Sequence, residues 1–272
     1  MQRNVSLSAD LPEVCRLGLA TRGNTHLKPE DVEHAIDRGI GYLNWCGHPD
    51  GLSRTVRRMG IRRKQIVLAA QFESRSAENA RRELQSMLDE LRTDYIDVLT
   101  FYYVESQDEW NEIIAPGGSW EFLAEQKQQG RLKLVGLTSH QRSLAAQWTR
   151  SGKLDLLMIR YNGAHRGAER DVFPVTREIN TPVVAFTGLR WKALIEPTPQ
   201  DPPEFVPPSA AEWYRFCLAQ PGVAVALAAP GDRRELDADL ALLDDWRAPD
   251  DAEHEALVAH GDRVRKSAGV FW

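Results

Sequence analysis

The sequence predicts an α/β protein whose strands close into a (β/α)8 barrel, the TIM-barrel architecture. Eight short apolar runs recur along the 272 residues, and each is followed by a segment whose apolar residues have helical spacing. Several runs, such as IVLAA, IDVLTF and VAVALAA, are apolar without a break, which is typical of parallel strands covered on both faces. Parallel strands with helical crossovers in this number close most naturally into a barrel.

An open, doubly wound sheet is the structural alternative. Such sheets often bind a dinucleotide at a GxGxxG sequence directly after the first strand. Gly18 and Gly23, the glycines at that place in this chain, do not have the required spacing. The barrel is therefore the favoured prediction, as a single domain over residues 1–272.

The first half of the chain contains the clearest strand and helix patterns. RLGLAT starts at Arg16, is expected to end at Gly23, and is followed by the helical pattern KPEDVEHAIDRGI. YLNWC precedes a helix from about Ser53 to Met59, and IVLAAQF then begins at Ile66. The strongest helix is SAENARRELQSMLDELRTD, because Ser76 is a suitable N-cap. Its apolar residues form one stripe, which consists of Leu84, Met87, Leu88 and Leu91.

The second half repeats the same unit. IDVLTFYYV, LVGLTS and LDLLMIRYN are strands, and helices follow them near Trp120–Gln129, Leu144–Arg150 and Val172–Glu178. VVAFTGL and VAVALAAPG complete the eight, with AAEWYRFCLA and RRELDADLALLD as their helices. We expect an N-terminal hairpin before the barrel and a C-terminal helical tail from about Asp250. The apolar end Phe271–Trp272 is left either to cover a pocket or to meet a partner.

One connection is too long for an ordinary βα loop. It runs from Arg190 to Ser209, reads RWKALIEPTPQDPPEFVPPS, and is rich in proline. It leaves the C-terminal end of the seventh strand, the side of a barrel where active sites lie. Two interpretations stay open at this stage: a solvated surface excursion, or a flap over a bound ligand.

Composition excludes several classes of protein. The formal net charge of −5 gives no basic surface for nucleic acid, and 42% hydrophobic residues are ordinary for a globular protein. The three cysteines have no CxxC spacing, which argues against a zinc finger or a disulfide framework. No apolar run approaches the roughly 20 residues that span a membrane. We expect a cytoplasmic protein that binds a small molecule, without a metal, and we leave its oligomeric state open.

Seven segments of this chain, in order, resemble the aldo-keto reductase family over nearly its whole length. They are LPEVCRLGLAT, RGIGYLNW, TDYIDVLTFYYV, LKLVGLTSH, LLMIRYNG, TPVVAFTGL and QPGVAVALAAPGDRRELDADLALL. The resemblance implies a (β/α)8 barrel that binds NADP(H) across the C-terminal ends of its strands. It also implies the reduction of an aldehyde or a ketone.

The resemblance further implies a catalytic tetrad, and this chain departs from it at all four positions. The family uses a tyrosine as proton donor, a lysine that lowers its pKa, an aspartate paired with the lysine, and a histidine that orients the carbonyl. The aspartate position holds Asn44, and the lysine position holds Gln71. The tyrosine position holds Pro49, with His48 beside it, and the histidine position holds Tyr102.

At the positions that bind the cofactor in the family, this chain departs less from the family pattern. Thr138 and Ser139 stand where the family binds the nicotinamide carboxamide, although Met158 replaces the glutamine that joins them there. Phe186 matches the aromatic residue that stacks on the nicotinamide. The remaining predicted contacts are with phosphate groups: Thr187 and Leu189 with the pyrophosphate, and Gly231, Arg233 and Arg234 with the 2′-phosphate.

Several residues are candidates for new roles in this divergent site. His48 has a side chain suited to proton donation at neutral pH, and a turn residue before Pro49 is the alternative. Tyr102 and Tyr103 are adjacent, so on a strand they would point to opposite faces, with Tyr102 in the pocket and Tyr103 against the helices. His140 either meets a ligand or caps the next helix.

Three functions remain open from the sequence. The first is an NADP(H)-dependent oxidoreductase whose proton donor is His48 or Tyr102. The second is a non-redox enzyme, such as a lyase, dehydratase or isomerase, that uses His48, Tyr102 and His140 as acid and base. The third is a pseudoenzyme that binds a ligand without turnover. We rank the oxidoreductase first because most chains with this resemblance are reductases.

Overall fold

A computed structural model describes residues 1–21 and 25–267. Its N-terminal hairpin consists of the antiparallel strands β1 (Asn4–Val5) and β2 (Val14–Cys15). Eight parallel strands then close into a barrel in which each strand pairs with the next and the last pairs with the first. These strands are β3 (Leu17–Ala20), β4 (Tyr42–Trp45), β5 (Val67–Phe72), β6 (Ile96–Phe101), β7 (Leu132–Ser139), β8 (Leu156–Arg160), β9 (Val183–Phe186) and β10 (Val225–Ala228). The predicted TIM barrel with its N-terminal hairpin is confirmed.

Two apolar layers hold the barrel together. Alternate strand residues point inward, so Val67 and Ala69 of β5 join the interior while Leu68 and Ala70 join the layer under the helices. The hairpin loop adds Leu7 and Leu11 to the interior cluster, so it fills the N-terminal end of the barrel. Each fully buried leucine contributes about 2 kcal/mol from the removal of its surface from water.

The helices surround the barrel in the predicted order. Their bounds are α1 (Pro29–Asp37), α2 (Gly51–Val56), α3 (Ala77–Leu91), α4 (Gln107–Ile114), α5 (Ser119–Gln128), α6 (Arg142–Thr149), α7 (Ala168–Asp171), α8 (Phe173–Glu178), α9 (Ala210–Ala219), α10 (Arg233–Leu240) and α11 (Asp251–Ser267). Short 3-10 helices lie at Gly60–Gln65, Ala193–Ile195 and Ala241–Leu243. Over the described residues, we find no helix with the length and apolar character needed to cross a bilayer. The C-terminal helical tail is confirmed as α11, whereas Gly23 and Phe271–Trp272 lie outside the described residues.

Local sequence explains most of the helix boundaries. Ser76 caps α3 by accepting a hydrogen bond from the Asn79 N–H, and the predicted apolar stripe of α3 is buried. The helix expected over 53–59 begins earlier, because Asp50 caps it and exchanges hydrogen bonds with Ser53. The helix expected near Val172–Glu178 is divided from a preceding short helix at Val172, since Pro174 has no N–H to continue the hydrogen-bond ladder.

A buried ion pair lies near the N-terminal ends of β5 and β6. Asp97 accepts hydrogen bonds from Arg63 Nη1 at 2.8 Å and from the Leu68 N–H, and both charged side chains are almost fully buried. The Arg63 guanidinium also stacks on the Tyr95 ring at 4.2 Å. Burial raises the pKa of Asp97, while the charge of Arg63 acts in the opposite direction. The pair therefore ties the 3-10 helix at 60–65 to two neighbouring strands.

We expect Arg63→Met to lower the free energy of unfolding by about 3 kcal/mol, because it leaves Asp97 buried without its partner. Urea denaturation at neutral pH measures the change. Arg62→Met is the control, since Arg62 pairs with Asp37 on the surface and its loss costs at most about 1 kcal/mol. Equal losses in the two variants would contradict a structural role for the buried pair.

The proline-rich connection after β9 is attached to the C-terminal helix. Asp201 accepts hydrogen bonds from Thr198 N–H, Arg263 and His260, and its side chain is almost fully buried. The other ring nitrogen of His260 lies 3.2 Å from the Leu194 carbonyl oxygen. Burial alone would raise the pKa of Asp201, but these hydrogen bonds lower it to about 2. The middle of the connection is therefore fixed against α11 and is not a free flap.

A carboxyl whose pKa is lowered by folding stabilises the fold above its unfolded pKa, near 3.9 for aspartate, and stops doing so as the pH falls through its folded pKa. We expect Asp201→Asn to lower the unfolding free energy by about 1–3 kcal/mol at pH 6. The difference from wild type should narrow between about pH 4 and pH 2, as urea midpoints across this range would show. Glu204→Gln, on the exposed part of the same connection, is the control. A difference that is unchanged at pH 2.5 would count against the Asp201 contacts.

Candidate active site

The C-terminal ends of the strands surround a central cavity of about 430 Å³. Near its base it is lined by Asn44 of β4, Gln71 of β5, Thr138 of β7, Met158 of β8 and Phe186 of β9. From there it extends under the turn that follows β9 and reaches α10. This is the end of the barrel at which enzymes of this architecture carry their active sites.

A second cavity, of about 520 Å³, lies beside the first. It is lined by the β4–α2 loop, including His48, and by Tyr102, with Glu73 and Glu90 on the side of α3. Cys46 and Gln71 line both cavities, so the two meet at these side chains. The predicted catalytic residues are thus divided, with Asn44 in the central cavity, His48 and Tyr102 in the second, and Gln71 in both.

The stretch LNWCGHPDG, where the family tyrosine and aspartate are replaced, forms a hydrogen-bonded turn. The Trp45 indole N–H donates to the His48 carbonyl oxygen at 2.8 Å, and His48 and Pro49 are exposed. Asp50 accepts the Ser53 N–H as the N-cap of α2, so its carboxylate is engaged in the fold. Asn44 is buried and donates from Nδ2 to Cys46 Sγ, while its Oδ1 has no hydrogen-bond partner among the described residues.

Tyr103 lies in the central cavity, which corrects the prediction that it packs against helices. The prediction assumed that the strand continues through both tyrosines, but β6 ends at Phe101 and Tyr103 has a φ of +44°. Alternation no longer applies there, and the rings of Tyr102 and Tyr103 lie with centroids 4.2 Å apart. A left-handed backbone at a bulky residue costs on the order of 1–3 kcal/mol and has to be held by its surroundings.

His140 stacks beside Tyr103 at the end of β7. Their ring centroids are 4.6 Å apart, and the His140 ring lies 6.2 Å from that of Phe186. Its backbone N–H donates to Glu105, and the next helix is capped at Gln141 without a side-chain bond. Burial, and then the charge of Arg160, lowers the pKa of His140. Of the two expectations for His140, capping of the helix is therefore wrong, and its ring lies beside Tyr103 and Phe186.

The predicted carboxamide contacts have different environments. Thr138 lines the central cavity, and its hydroxyl is buried with no hydrogen-bond partner among the described residues. Ser139 is also buried, but its hydroxyl accepts the Gln141 N–H at 2.9 Å and so serves the start of α6. Thr138 therefore has an unused hydrogen-bonding group in the cavity, while Ser139 already has a structural contact.

The turn after β9 has an unusual backbone. Thr187, Arg190, Trp191 and Lys192 all have positive φ values, and Thr187 and Leu189 line the cavity as predicted for pyrophosphate contacts. Trp191 lines it as well and is 71% exposed. Lys192 reaches across the cavity to form an ion pair with Glu235 of α10. Lys192 is thus a cavity residue, and its position depends on this irregular turn.

The first turn of α10 differs from the predicted phosphate site. Asp232 caps the helix by accepting the Glu235 N–H, and Glu235 accepts the Gly231 N–H at 2.8 Å. Arg233 lies outside the cavity in ion pairs with Asp237 and with Asp31 of α1. The structure therefore does not bring Arg233 to the cavity as predicted, and the backbone N–H of Gly231 is already engaged. Arg234 is exposed on the same turn.

Two carboxyl groups, those of Glu235 and Asp239 in α10, line this end of the cavity. Hydrogen bonds from Lys192 and Gly231 lower the pKa of Glu235. Asp239 is buried, and burial followed by the charge of Glu235 raises its pKa well above the ordinary value, which favours the neutral acid. In the sequence RRELDADLALLD, the two carboxyl groups are four residues apart, and this spacing places them on one face of α10.

Comparison with known proteins agrees with this geometry. The profile of the Aldo/keto reductase family matches residues 20–203, more than half of the chain. The chain belongs to the aldo/keto reductase family. A curated relative, described as an uncharacterized oxidoreductase YrpG of Bacillus subtilis, is 25% identical in an alignment 188 residues long, which covers 58% of this chain and 56% of that protein. The chain thus matches little more than half the length of this relative.

Solved structures of aldo-keto reductases have the same fold. The holo form of AKR11C1 from Bacillus halodurans superposes with a TM-score of 0.76 at 18% identity, covering 100% of this chain and 98% of that one. An aldo-keto reductase from Klebsiella pneumoniae in complex with NADPH gives 0.73 at 17% identity and 92% coverage of both chains. A second Klebsiella structure contains NADP and acetate, with a TM-score of 0.71 at 17% identity and 92% coverage of both.

This family member therefore has the barrel and a central cavity, and the predicted tetrad positions hold other residues. Asn44 and Gln71, at the aspartate and lysine positions, line the central cavity as neutral amides. Pro49 is exposed in the turn, and Tyr102 lines the neighbouring cavity. A tyrosine ring does line the central cavity beside Phe186, but it belongs to Tyr103.

The buried Thr138 hydroxyl, which has no hydrogen-bond partner among the described residues, is expected to lower the stability of the ligand-free protein. We expect Thr138→Val to raise the free energy of unfolding of the ligand-free protein by about 1 kcal/mol, because a buried hydroxyl without a partner is removed. Thr100→Val, on the neighbouring strand, is the matched control, since the Thr100 hydroxyl donates to the Ala70 carbonyl and its loss should destabilise. Urea denaturation measures both, and a loss of stability in Thr138→Val would show that this hydroxyl is satisfied in solution.

Proposed function

We propose that this chain is an NADP(H)-dependent oxidoreductase that reduces an aldehyde or ketone and takes the proton from a residue other than the family tyrosine. The observation that carries the proposal is the central cavity, which joins the Phe186 ring, the unpartnered Thr138 hydroxyl and the Lys192 turn. NADP(H) is supported by the Klebsiella structures, which contain NADPH or NADP. A small carbonyl compound as substrate follows from the family.

The residues at the base of the cavity fit a nicotinamide. Phe186 offers an aromatic ring for stacking. The Thr138 hydroxyl and Asn44 Oδ1 are buried polar atoms without partners among the described residues, and together they offer a donor and an acceptor to a carboxamide. When bound, NADPH supplies a hydride to a substrate carbonyl carbon. The protein contributes orientation and the exclusion of water.

In the outer part of the cavity, the turn after β9 suits phosphate groups better than the first turn of α10 does. The turn with Thr187 and Leu189 and the ammonium group of Lys192 suit a pyrophosphate, because Lys192 can exchange its pairing with Glu235 for a phosphate oxygen. Since Arg233 is paired with Asp31 and Asp237, Arg234 is the basic residue of α10 proposed for the 2′-phosphate.

A second candidate function is supported by the neighbouring cavity. His48 and Tyr102 line it together, as non-redox acid–base chemistry would require, and this cavity is separate from the stacking face of Phe186. A cofactor-free activity that disappears in His48→Ala and Tyr102→Phe would favour this alternative. Binding of NADPH without conversion of any carbonyl would favour a pseudoenzyme.

The oxidoreductase proposal predicts that NADPH binds and quenches tryptophan fluorescence, because Trp191 lines the cavity. Phe186→Ala should weaken NADPH binding about tenfold, since an aromatic stack contributes roughly 0.5–1.5 kcal/mol and 1.4 kcal/mol corresponds to a factor of 10. Fluorescence titration measures the affinity, and Trp191→Phe, which should reduce the signal but not the affinity, identifies the reporting residue.

Phe205→Ala is the matched control, because Phe205 packs on His260 in the proline-rich connection away from the cavity. Its NADPH affinity should equal that of wild type. No change of fluorescence and no heat of binding at millimolar NADPH would exclude the proposed cofactor. Equal weakening by Phe186→Ala and Phe205→Ala would place the binding elsewhere.

A further inference from the structure

We propose that Tyr103 donates the proton to the carbonyl oxygen in this protein, so that the proton donor has moved from the end of β4 to the residue that follows Tyr102. The inference rests on the proposed reductase function. It assigns to Tyr103 a role that the family pattern gives to a different strand end.

The location of Tyr103 in the central cavity supports its role as proton donor. Its side chain lines the central cavity together with Thr138 and Phe186, and its ring meets the Phe186 ring edge-on with centroids 6.4 Å apart. The ring is half-buried, so the hydroxyl can exchange protons with solvent between turnovers. Tyr103 is therefore adjacent to the aromatic surface on which the nicotinamide is proposed to stack.

The backbone around Tyr103 is fixed in its unusual conformation. Arg75 donates to the Tyr102 carbonyl oxygen at 2.7 Å, and the Val104 N–H donates to the Thr138 carbonyl oxygen at 3.0 Å. These bonds hold both neighbours of Tyr103 while its own φ is +44°. A left-handed residue maintained at a cavity is a reason to examine its side chain for function.

Other side chains are less suited to donate the proton. His48 and Tyr102 line the neighbouring cavity. Asn44 and Gln71 are amides, which are not acids in water, and the Thr138 hydroxyl is an alcohol. Cys46 lines the central cavity, but its sulfur accepts a hydrogen bond from Asn44. Tyr214 and Asp239 also line this cavity, but Tyr103 is a phenol whose ring meets that of Phe186.

Two further side chains lie near Tyr103. The ring centroid of His140 is 4.6 Å from that of Tyr103, and the two rings are tilted by 32°. Arg160 stands at the end of β8, where it pairs with Phe186 of β9, and it interacts with Tyr103 electrostatically. Tyr103 therefore has an aromatic ring and a cationic side chain in its surroundings.

The proposed reduction transfers one hydride and one proton to the carbonyl group. The carbonyl carbon accepts a hydride, with its electron pair, from NADPH, which is oxidised to NADP⁺. The π electrons of the carbonyl move to its oxygen, and this oxygen takes the Tyr103 phenol proton to form the alcohol. Solvent then returns a proton to the phenolate.

The test compares Tyr103→Phe with wild type in two measurements. The kcat for reduction, over a panel of aliphatic and aromatic aldehydes and ketones with NADPH, should fall about 100-fold, as expected for loss of a general acid. Acetate, whose oxygen can accept the same phenol hydrogen bond, should bind the NADP⁺-loaded protein about tenfold more weakly by calorimetry. The NADPH affinity should stay within threefold of wild type, and Tyr95→Phe, at the opposite end of the barrel, should change none of these values.

The following outcomes would overturn the role of Tyr103, either alone or together with the reductase function. A Tyr103→Phe kcat within threefold of wild type, or unchanged acetate binding, overturns the role of Tyr103 and leaves the reductase function standing. A loss of kcat in Tyr102→Phe without loss in Tyr103→Phe assigns the proton to Tyr102 instead. Failure of wild type to bind NADPH, or to reduce any carbonyl in the panel, overturns the reductase function and the role of Tyr103 together.

Discussion

Closure of the barrel fixes which residues can reach the central cavity. Inward-pointing residues alternate along each strand, and the interior cluster contains Tyr42, Ala69, Leu134 and Met158. Moving up the strands in steps of two leads to Asn44, Gln71 and Thr138, the last inward positions of β4, β5 and β7, and all three line the cavity. The polar groups of the cavity are thus the upper ends of the same columns whose lower parts are apolar. Their approximate positions follow from strand pairing, whatever side chains the sequence places there.

The same constraint explains how the tetrad positions can change while the barrel is retained. Stability depends on the two apolar layers, on the hairpin that fills the lower end, and on buried contacts such as Arg63 with Asp97. These features lie below the rim or outside the strands, whereas the tetrad positions lie at the rim. Asn44 and Gln71, at the predicted aspartate and lysine positions, belong to neither apolar layer. Function in this fold is therefore decided by a small set of rim residues, and it can diverge without a change of architecture.

The sequence was sufficient for the barrel because periodicity alone distinguishes buried parallel strands from amphipathic helices. The positions of single residues in the site were harder to predict from the sequence, because they depend on irregular backbone. The alternation rule failed at Tyr103 because β6 ends at Phe101, two residues before it. The motif match at Arg233 did not reveal its ion pairs, because Asp31 lies on a helix distant in sequence. The turn that brings Lys192 to Glu235 contains consecutive left-handed residues without glycine, and propensity rules do not predict such a turn.

Irregular backbone at the rim also has a physical consequence for the chemistry. A strand that continued through residue 103 would place Tyr102 and Tyr103 on opposite faces of the sheet, and only one of them would face the barrel. Because the strand stops first, both rings stay at the rim, in contact with each other and beside two cavities that meet at Cys46 and Gln71. The barrel thereby presents a phenol from a position that regular geometry would turn toward the helices. The left-handed conformation has a cost, and the hydrogen bonds at Tyr102 and Val104 offset it by holding the chain on each side. A relocated proton donor thus requires only a local change in where one strand ends.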